Sequence, residues 1–296
     1  MNGIFCLSKP AEMTSFLCGA VMRRLLGVSK IGHAGTLDPM ATGVLPLLCG
    51  SATRAADLLP VQDKRYRATL RFGLSSDTQD IWGNVEETGR PLPSYAAIEA
   101  ALPALRGPIL QVPPMTSALK RDGVRLYTLA RQGIEVEREA RPVTVYALEA
   151  LAYDALTGEL TLDCFCSKGT YVRTLCHDLG VMLGTDAVMT SLVRTMAAGY
   201  TLEQCVTPDE VRAMSPEERA ARILPVDTAF AVYPALTVTE KQARRFCNGG
   251  ALLRSRLSEE VSGRTRVYAP DGRFLGLGEP REEELAIVKL FATGDD

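Results

Sequence analysis

The sequence predicts a globular protein of the α+β class, with one large domain followed by a small one. Its 296 residues are enough for both, and its 46% hydrophobic and 23% charged content is that of an ordinary soluble chain. Several segments alternate apolar and polar residues with the period of a strand, whereas others carry the cap residues of helices. The chain is therefore expected to mix strands and helices.

Composition limits the function and the location of the protein. The formal net charge of −2 argues against a general nucleic-acid binder, although an RNA enzyme can concentrate its basic residues around one groove. The eight cysteines form no CxxC, and with only His33 and His177 available they predict no zinc site. The scattered cysteines fit reduced thiols in a cytoplasm. The sequence has no apolar run of roughly 18 residues and no signal-peptide layout, so we expect a cytoplasmic protein that does not span a membrane.

The start of the chain predicts a strand and a helix. Gly3–Leu7 is a short apolar run that ends in a turn at Lys9. Thr14 then offers an N-cap for a helix over Phe16–Leu26 that stops at Gly27. The apolar residues of this helix are expected to share one face, away from its two arginines: Phe16, Leu17, Ala20, Val21 and Leu25.

The octet Gly32–Pro39, GHAGTLDP, is the most unusual stretch of the chain. It contains His33 and a lone carboxylate, Asp38. Its two glycines permit a turn, and the proline after Asp38 biases that residue toward an extended conformation. The apolar run Val44–Cys49 follows as a buried strand. A carboxylate on a stiffened loop fits a catalytic group, whereas the plainer alternative is a structural turn with an Asx cap.

Further along, Lys64–Gly73 alternates with a period of two and predicts a strand whose apolar face includes Tyr66. By itself Tyr66 fits a core aromatic with a satisfied hydroxyl. Ser75–Gly83 is polar and predicts a loop, and Pro93–Leu105 predicts a helix that Ser94 caps.

The segment Gln111–Arg141 departs from this pattern of compact elements. Acidic residues, Asp122 among them, are interleaved with basic ones, so the segment is no simple polybasic tail. Its basic residues are Lys120, Arg121, Arg125, Arg131, Arg138 and Arg141. The segment fits either a surface that binds RNA or an amphipathic hairpin or helix packed on the domain.

Two alternating strands, Pro142–Tyr153 and Gly158–Cys166, are expected to pair across a tight turn. They lead into SKGTYVR, which ends at Arg173, and into a helix over Thr170–Leu183. A glycine followed by a helix start directs several donors at one point. An arginine here, rather than a lysine, fits a carboxylate partner held by both nitrogens.

The last part of the chain predicts short elements. Around Leu202–Val226 the pattern is helical and acidic, with Pro208 and Pro216 as helix starts. Beyond residue 230 the expected elements are a helix over Thr239–Cys247 and strands near Thr265–Ala269, Phe274–Gly278 and Leu285–Leu290.

Three of these strings, GHAGTLDP, KRYRATLRFG and SKGTYVR, resemble in sequence and order the motifs of the TruB-type tRNA pseudouridine synthases. The resemblance implies that Asp38 is the catalytic carboxylate, that Arg173 pairs with it, and that Tyr66 stacks on the target base. It further implies substrate-binding roles for Lys9 near the cleft, His33 in the space that a flipped base leaves, Tyr171 and Leu192 in the base pocket, and Lys120, Arg125 and Arg131 on RNA phosphates.

The same resemblance implies the fold in more detail. Residues 1–230 would form a catalytic domain around a mixed, largely antiparallel sheet, with residues 111–141 as an insertion that grips RNA. Residues 231–296 would form a small PUA-like, β-rich RNA-binding domain, for which the residue-level match is weak.

The implied reaction converts a uridine in the T loop of tRNA, at position 55 in tRNA numbering, to pseudouridine. The implied reaction needs no cofactor. The protein is expected to be a monomer and to bind the T arm of tRNA. The carboxylate either attacks ribose or base covalently or assists removal of a ribose proton, and an adjacent arginine keeps it ionised. Two rival functions stay open: a tRNA-binding or tRNA-folding protein without essential turnover, and an aspartate-dependent, glycosidase-like hydrolase. The hydrolase needs a second positioned carboxylate, and Asp63, Asp77 and Asp80 fall in less defined loops.

Overall fold

A computed structural model describes residues 1–121 and 123–292. Asp122 and residues 293–296, which the sequence places in the insertion and the C-terminal domain, lie outside the described residues. The helices are α1 (Ser15–Leu25), α2 (Tyr95–Ala101), α3 (Leu126–Arg131), α4 (Val172–Met182), α5 (Pro208–Ala213), α6 (Pro216–Ala221) and α7 (Glu240–Cys247). The strands are β1 (Gly3–Lys9), β2 (Ile31–His33), β3 (Thr42–Cys49), β4 (Lys64–Phe72), β5 (Leu74–Ser76), β6 (Val85–Glu87), β7 (Gly107–Gln111), β8 (Lys120–Arg121), β9 (Val124–Arg125), β10 (Arg141–Asp154), β11 (Glu159–Cys166), β12 (Ala187–Ala197), β13 (Tyr200–Thr201), β14 (Ala235–Thr237), β15 (Leu252–Leu253), β16 (Thr265–Tyr268), β17 (Phe274–Arg281) and β18 (Glu284–Leu290).

A mixed sheet forms the frame of the large domain. Its strand order is β1-β3-β12-β4-β11-β10-β7, with β2 paired to β3 and β13 to β12. The β3–β12 pairing is parallel and the other pairings in this sheet are antiparallel. The predicted pairing of β10 with β11 is confirmed. The sheet is thus mixed and largely antiparallel, as predicted.

Strand β4 lies in the middle of this sheet, and its alternating residues bury one face. Tyr66, Ala68, Leu70 and Phe72 are buried, as the period of two predicts. On this face α2 and α4 close the core, and Gly180 of α4 lies so near β12 that a Cβ there would meet the Ala187 nitrogen at 2.3 Å. This packing holds the C-terminal end of α4 against the first residue of β12, which pairs with the last residue of β4.

Helix α1 corrects one prediction. Its buried residues are Ser15, Cys18, Gly19 and Met22, whereas Phe16 is 82% exposed. Leu17 is also exposed, and Ala20, Val21 and Leu25 are only partly buried. The cause is the Ser15 hydroxyl, which bonds to both backbone groups of Leu37 and thereby sets the rotation of the helix. The predicted apolar face was therefore wrong.

The segment from residue 112 to residue 140 leaves the sheet and returns to it. It contains the β8–β9 hairpin and α3, in which Leu126 is buried. Lys120, Arg125 and Arg131 are exposed. The segment therefore carries these three of its predicted basic residues on the surface, whereas Arg138 is only partly exposed.

The C-terminal part is rich in strands. Its sheet has the order β14-β16-β17-β18-β15. The predicted helix starts at Pro208, Pro216 and Thr239 are confirmed, the last as an N-cap. Phe230 packs on Phe274 and Phe291 and joins this sheet to the rest of the chain. The boundary between residues 230 and 231 stays a prediction. None of the described helices is long and apolar enough to cross a membrane.

Candidate active site

A cavity of about 260 Å³ opens where the octet meets the start of β4, the middle of β12 and the start of α4. Five residues that the sequence singles out line it together: Asp38, Tyr66, Tyr171, Arg173 and Leu192. They come from four separate stretches of the chain. Three-dimensional folding thus brings the three motifs to one place.

The loop that carries Asp38 is fixed at several points. Gly35 turns the chain with a φ of 88°, whereas Gly32, the other glycine of the octet, keeps an ordinary φ. Leu37 donates to and accepts from the Ser15 hydroxyl at 2.8 and 3.1 Å. Its buried side chain anchors the loop directly before Asp38. The carboxylate is therefore presented on a rigid turn.

Arg173 holds the Asp38 carboxylate from the helix side. Its Nη2 donates to Asp38 Oδ2 at 2.6 Å, and its side chain is only 6% exposed. Its Nη1 donates to Asp80 Oδ2 at 3.0 Å and to Thr116 Oγ1 at 2.8 Å. Arg173 therefore does not form the expected bidentate pair with one carboxylate; its two terminal nitrogens bond to two different carboxylates.

Asp80 is consequently part of the site, although the sequence places it in a less defined loop. Its Oδ1 accepts from the Trp82 backbone N–H and the Thr78 hydroxyl, and its side chain is 7% exposed. These bonds hold Asp80, and Asp80 in turn fixes the Arg173 guanidinium. Asp80 is not among the described residues that line the cavity.

Burial and the charges around Asp38 act on its pKa in opposite directions. Burial raises the pKa of the Asp38 carboxyl above its ordinary value, and the negative charge of Asp80 adds to this. Arg173 and Lys9 act in the opposite direction but do not overcome the burial. The arginine therefore limits the rise of the pKa rather than depressing it below the ordinary range.

Tyr66 forms the cavity wall next to this pair. It is 7% exposed and lies directly opposite Arg194 in the register of β4 and β12. Burial raises the pKa of Tyr66 to about 12, although the positive charge of Arg194 opposes the rise. The phenol is therefore neutral at pH 7 and can donate a hydrogen bond.

Arg194 is the site residue that sequence reasoning missed most completely. It is fully buried and has no ion pair among the described residues. Its Nη2 donates to the Gly35 carbonyl at 3.0 Å, its Nη1 to the Thr36 carbonyl at 3.1 Å, and its Nε to the Val44 carbonyl at 2.8 Å. Arg194 thus ties the loop of Asp38 to the strand beside Tyr66.

A signal for Arg194 was present in the sequence. It stands two residues after Leu192, on the same face of a strand, where a charge is unexpected unless it has partners. Thr116 carried no comparable signal, since nothing in the sequence links it to an arginine 57 residues away.

Lys9 is buried inside the protein and does not present its charge to RNA. Its side chain is fully buried, and Nζ donates to the carbonyls of Pro10, Met13 and Pro39 at 2.8, 2.7 and 3.1 Å. Burial lowers the pKa of Lys9 to about 8. Lys9 therefore fixes the turn after β1 against the residue that follows Asp38.

The remaining predicted residues lie outside the cavity wall. His33 ends β2; its Nδ1 is buried and has no hydrogen-bond partner in the described part of the chain. Burial and the charge of Arg194 lower the pKa of His33. The guanidinium groups of Arg125 and Arg131 lie 5.8 and 5.6 Å from the centre of the Tyr127 ring. Ser117 and Ala118 of the same segment line the cavity, and Thr116 accepts a hydrogen bond from Arg173.

Comparison with known proteins places this geometry in a family. Residues 23–172 match the model of the TruB family pseudouridylate synthase N-terminal domain, and residues 173–231 match the tRNA pseudouridylate synthase B C-terminal domain. Residues 234–290 match the C-terminal model of pseudouridine synthase II TruB. The tRNA pseudouridine synthase B of Burkholderia pseudomallei is 44% identical over 298 residues, which cover 99% of this chain and 98% of that protein. This chain belongs to the TruB family.

Other relatives agree with the assignment to TruB. The tRNA pseudouridine synthase B of Aromatoleum aromaticum is 44% identical over 282 residues, or 94% of this chain and 89% of that protein. A crystal structure of a Cbf5–Nop10–Gar1 complex matches with a TM-score of 0.74 at 23% identity, covering 99% of this chain and 86% of that one. At that identity the structural match shows the fold, and it confirms the predicted fold class.

TruB membership bears on the two rival functions. The relatives are named as synthases, so the family is one of isomerases, not of hydrolases. No sequence motif presents a second carboxylate beside Asp38, but in the structure Asp80 shares Arg173 with it. A hydrolase nevertheless needs both carboxylates at the substrate, and Asp80 does not line the cavity.

Proposed function

We propose that this TruB-family enzyme converts the uridine at position 55, in the T loop of tRNA, to pseudouridine, with Asp38 as the catalytic group. The observation that carries the proposal is the 2.6 Å pair of Asp38 with the buried Arg173, at a cavity that Tyr66 also lines. The pair leaves the carboxylate partly exposed at the cavity, with 40% of its side-chain surface accessible. A reacting sugar or base can therefore approach it.

The reaction is an internal rearrangement. The bond between ribose C1′ and base N1 breaks, the base turns, and C1′ joins C5, while the hydrogen of C5 leaves and N1 gains one. No atom is added and no redox change occurs, so the chemistry requires no cofactor. Asp38 either attacks covalently or assists removal of a ribose proton. The target base must leave its stack to reach the cavity, where Tyr66 offers a face for stacking.

The RNA partner would be held from outside this cavity. Lys120, Arg125 and Arg131 are exposed on the segment that also supplies Thr116 to Arg173, so phosphate contacts there lie on the same chain segment as the cavity wall. In this proposal the partner is the T arm of tRNA, and the enzyme acts as a cytoplasmic monomer. Residues 1–230 would carry catalysis, and the part of the chain after residue 230 would be a PUA-like domain that adds RNA contacts.

Tritium release tests the proposal directly. In tRNA labelled with tritium at C5 of uridine, forming the new bond expels the label into water. We expect release of one label per tRNA, and none when the uridine at position 55 is replaced by cytidine. Release that continues with the cytidine-substituted tRNA would assign another target position, and binding without any release would favour the tRNA-folding alternative.

A further inference from the structure

The segment of residues 111–141 leaves the large sheet and returns to it at one point. Gln111 is the last residue of β7, and it lies directly opposite Arg141, the first residue of β10. We call this pair the neck of the insertion. Arg141 is exposed, whereas Gln111 is only 2% exposed. The buried amide needs an explanation, because a buried polar group is costly unless it is hydrogen-bonded.

The Gln111 side chain bonds at both ends to the backbone of Tyr171. Its Oε1 accepts from the Tyr171 backbone N–H at 2.7 Å, and its Nε2 donates to the Tyr171 carbonyl at 3.0 Å. The two residues are 60 positions apart in the chain. Because both polar groups of the Tyr171 backbone are held, this residue cannot shift or rotate without breaking one of the two bonds.

Tyr171 lies at a point of the site where such support matters. It directly precedes α4, and its own side chain makes no capping bond to the helix. Gly169, two residues earlier, has a φ of 85°, and its backbone is freer than that of other residues. Tyr171 lines the cavity, and Arg173 follows two residues later. Gln111 therefore fixes the backbone between a free glycine and the arginine that holds Asp38.

The insertion contacts the start of α4 a second time, through Thr116. The Thr116 hydroxyl accepts from Nη1 of Arg173 at 2.8 Å. Pro113 and Pro114, between the neck and Thr116, are buried, whereas Lys120 beyond them is exposed. A short stretch of chain held on the domain therefore connects the exposed basic residues of the insertion with the cavity.

We propose that Gln111 is a positioning residue of the reaction, which holds the Tyr171 backbone so that Tyr171 keeps its place in the cavity wall. This inference rests on the proposed function, and it places no RNA contact on Gln111 itself. Gln111 acts on the bound base only through Tyr171. It therefore affects the rate at which bound uridine reacts, and not the affinity of the enzyme for tRNA.

Gln111→Met tests the proposal, because methionine has a similar length and can make neither bond. We expect the single-turnover rate on saturating tRNA to fall by about tenfold or more, since small misplacements in an active site are costly. The dissociation constant of tRNA should stay unchanged. Gln132→Met is the matched control, the same change on an exposed residue of the same insertion, and should alter neither quantity. The parent's rate in Gln111→Met would overturn the proposal.

A second control separates positioning from a general loss of stability. Ile98 is fully buried on α2 in the same core, and it is not among the described residues that line the cavity. Ile98→Val destabilises the protein by removing one buried methyl group. Chemical denaturation measures the stability of both variants, and the rates are compared where both are folded. Ile98→Val should keep the parent's rate, and equal rate losses in Ile98→Val and Gln111→Met would overturn the proposal.

Gln111→Glu allows activity to be restored by pH. The ionised carboxylate has no donor for the Tyr171 carbonyl, whereas the protonated carboxyl group both donates and accepts, as the amide does. Burial favours the protonated form. The ratio of the variant's single-turnover rate to the parent's should therefore rise as the pH falls, and the ratio removes the titration of Asp38, which both proteins share. A ratio that does not change with pH would overturn the proposal.

A double-mutant cycle shows whether Gln111 acts through Tyr171. Gln111→Met should cost little in single-turnover rate once Tyr171→Ala has removed the side chain that Gln111 positions, so the two losses should not add. Additive losses would overturn the proposal. Failure of the proposed function is distinguishable, because it appears as absent release of tritium by the parent protein itself.

Discussion

Arg173 is the residue around which the site is arranged. It lies between Asp38 at 2.6 Å and Asp80 at 3.0 Å, so one guanidinium orients a reacting carboxylate and is oriented by a structural one. Buried ion pairs need such additional partners, because an uncompensated buried charge is costly. Asp80 is therefore expected to act on catalysis through Arg173 and through its charge.

Replacing Asp80 with Asn should change the pH dependence in a defined direction. Asp38 must be ionised to act, so activity falls as the pH drops through the pKa of Asp38. Asp80 raises that pKa, and its neutralisation should move the acid limb of the single-turnover rate to lower pH. The plateau rate should also fall, because Arg173 loses one of its anchors. An acid limb that stays in place or moves to higher pH would contradict this electrostatic role.

Tyr66 offers two separable properties, a stacking face and a hydroxyl. Tyr66→Phe keeps the ring and should bind tRNA normally while slowing a late step, if the neutral phenol assists loss of the C5 hydrogen. Tyr66→Leu removes both properties and should also bind more weakly. Single-turnover rates and dissociation constants measure the two effects. Equal turnover of the Phe variant and the parent protein would deny the hydroxyl a chemical role.

At the scale of single residues, the sequence predicted the members of the site better than their contacts. Motifs located Asp38, Tyr66 and Arg173, because each stands in an unusual local string. Asp80 and Thr116 could not be found this way, since their importance arises only where folding brings them to Arg173. The net rise of the Asp38 pKa likewise depends on burial, which no local pattern displays.

At the scale of elements, β12 and the octet form one unit through Arg194. Strands β3 and β12 lie so close at Gly43 that no side chain fits there, because a Cβ would meet the Arg194 carbonyl oxygen at 2.2 Å. The guanidinium then spans the carbonyls of Gly35, Thr36 and Val44. The position of Asp38 relative to Tyr66 is thus set by a strand that carries neither.

Arg194→Lys tests this connection. Lysine keeps the charge but cannot reach three carbonyls in the planar geometry of arginine, so buried carbonyls lose their donors. We expect the free energy of unfolding to fall by about 1–3 kcal/mol. We also expect a lower single-turnover rate on saturating tRNA, since a misplacement of about 1 Å can cost on the order of a hundredfold. Chemical denaturation and tritium release measure the two, and an unchanged rate would limit Arg194 to stability.

Strands were easier to predict than the orientation of helices. The period of two fixed the buried face of β4, because alternate residues must point to opposite sides. In α1 the apolar residues are spread around the helix, and a serine that bonds to Leu37 decides which side is buried. Such a tertiary hydrogen bond has no counterpart in the local sequence.

At the scale of the whole molecule, an enzyme with a net charge of −2 must bind a polyanion through a local concentration of basic residues. The exposed side chains of Lys120, Arg125 and Arg131 lie on the segment that also contacts Arg173. RNA binding and completion of the cavity are therefore expected to be linked through residues 111–141.

Replacing Arg125 and Arg131 with Ala should weaken tRNA binding and flatten its salt dependence, by about one unit of slope for each lost phosphate contact. The chemical step on saturated enzyme should change little. Arg212→Ala is a control, because Arg212 is exposed on α5 and pairs locally with Asp209. If the double variant binds tRNA with the same salt dependence as the parent protein, these arginines do not contact phosphates and the segment only packs on the domain.

The most direct test of the proposed catalysis is tritium release by Asp38→Asn. Asparagine has nearly the shape of aspartate and still accepts a hydrogen bond from Arg173, so the loop should hold its form and tRNA should bind. The charge that attacks or accepts a proton is gone, and we expect release to fall to background. Mass spectrometry of the protein controls for deamidation back to aspartate. Substantial pseudouridine formation by intact Asp38→Asn would remove Asp38 from its role and contradict the mechanism.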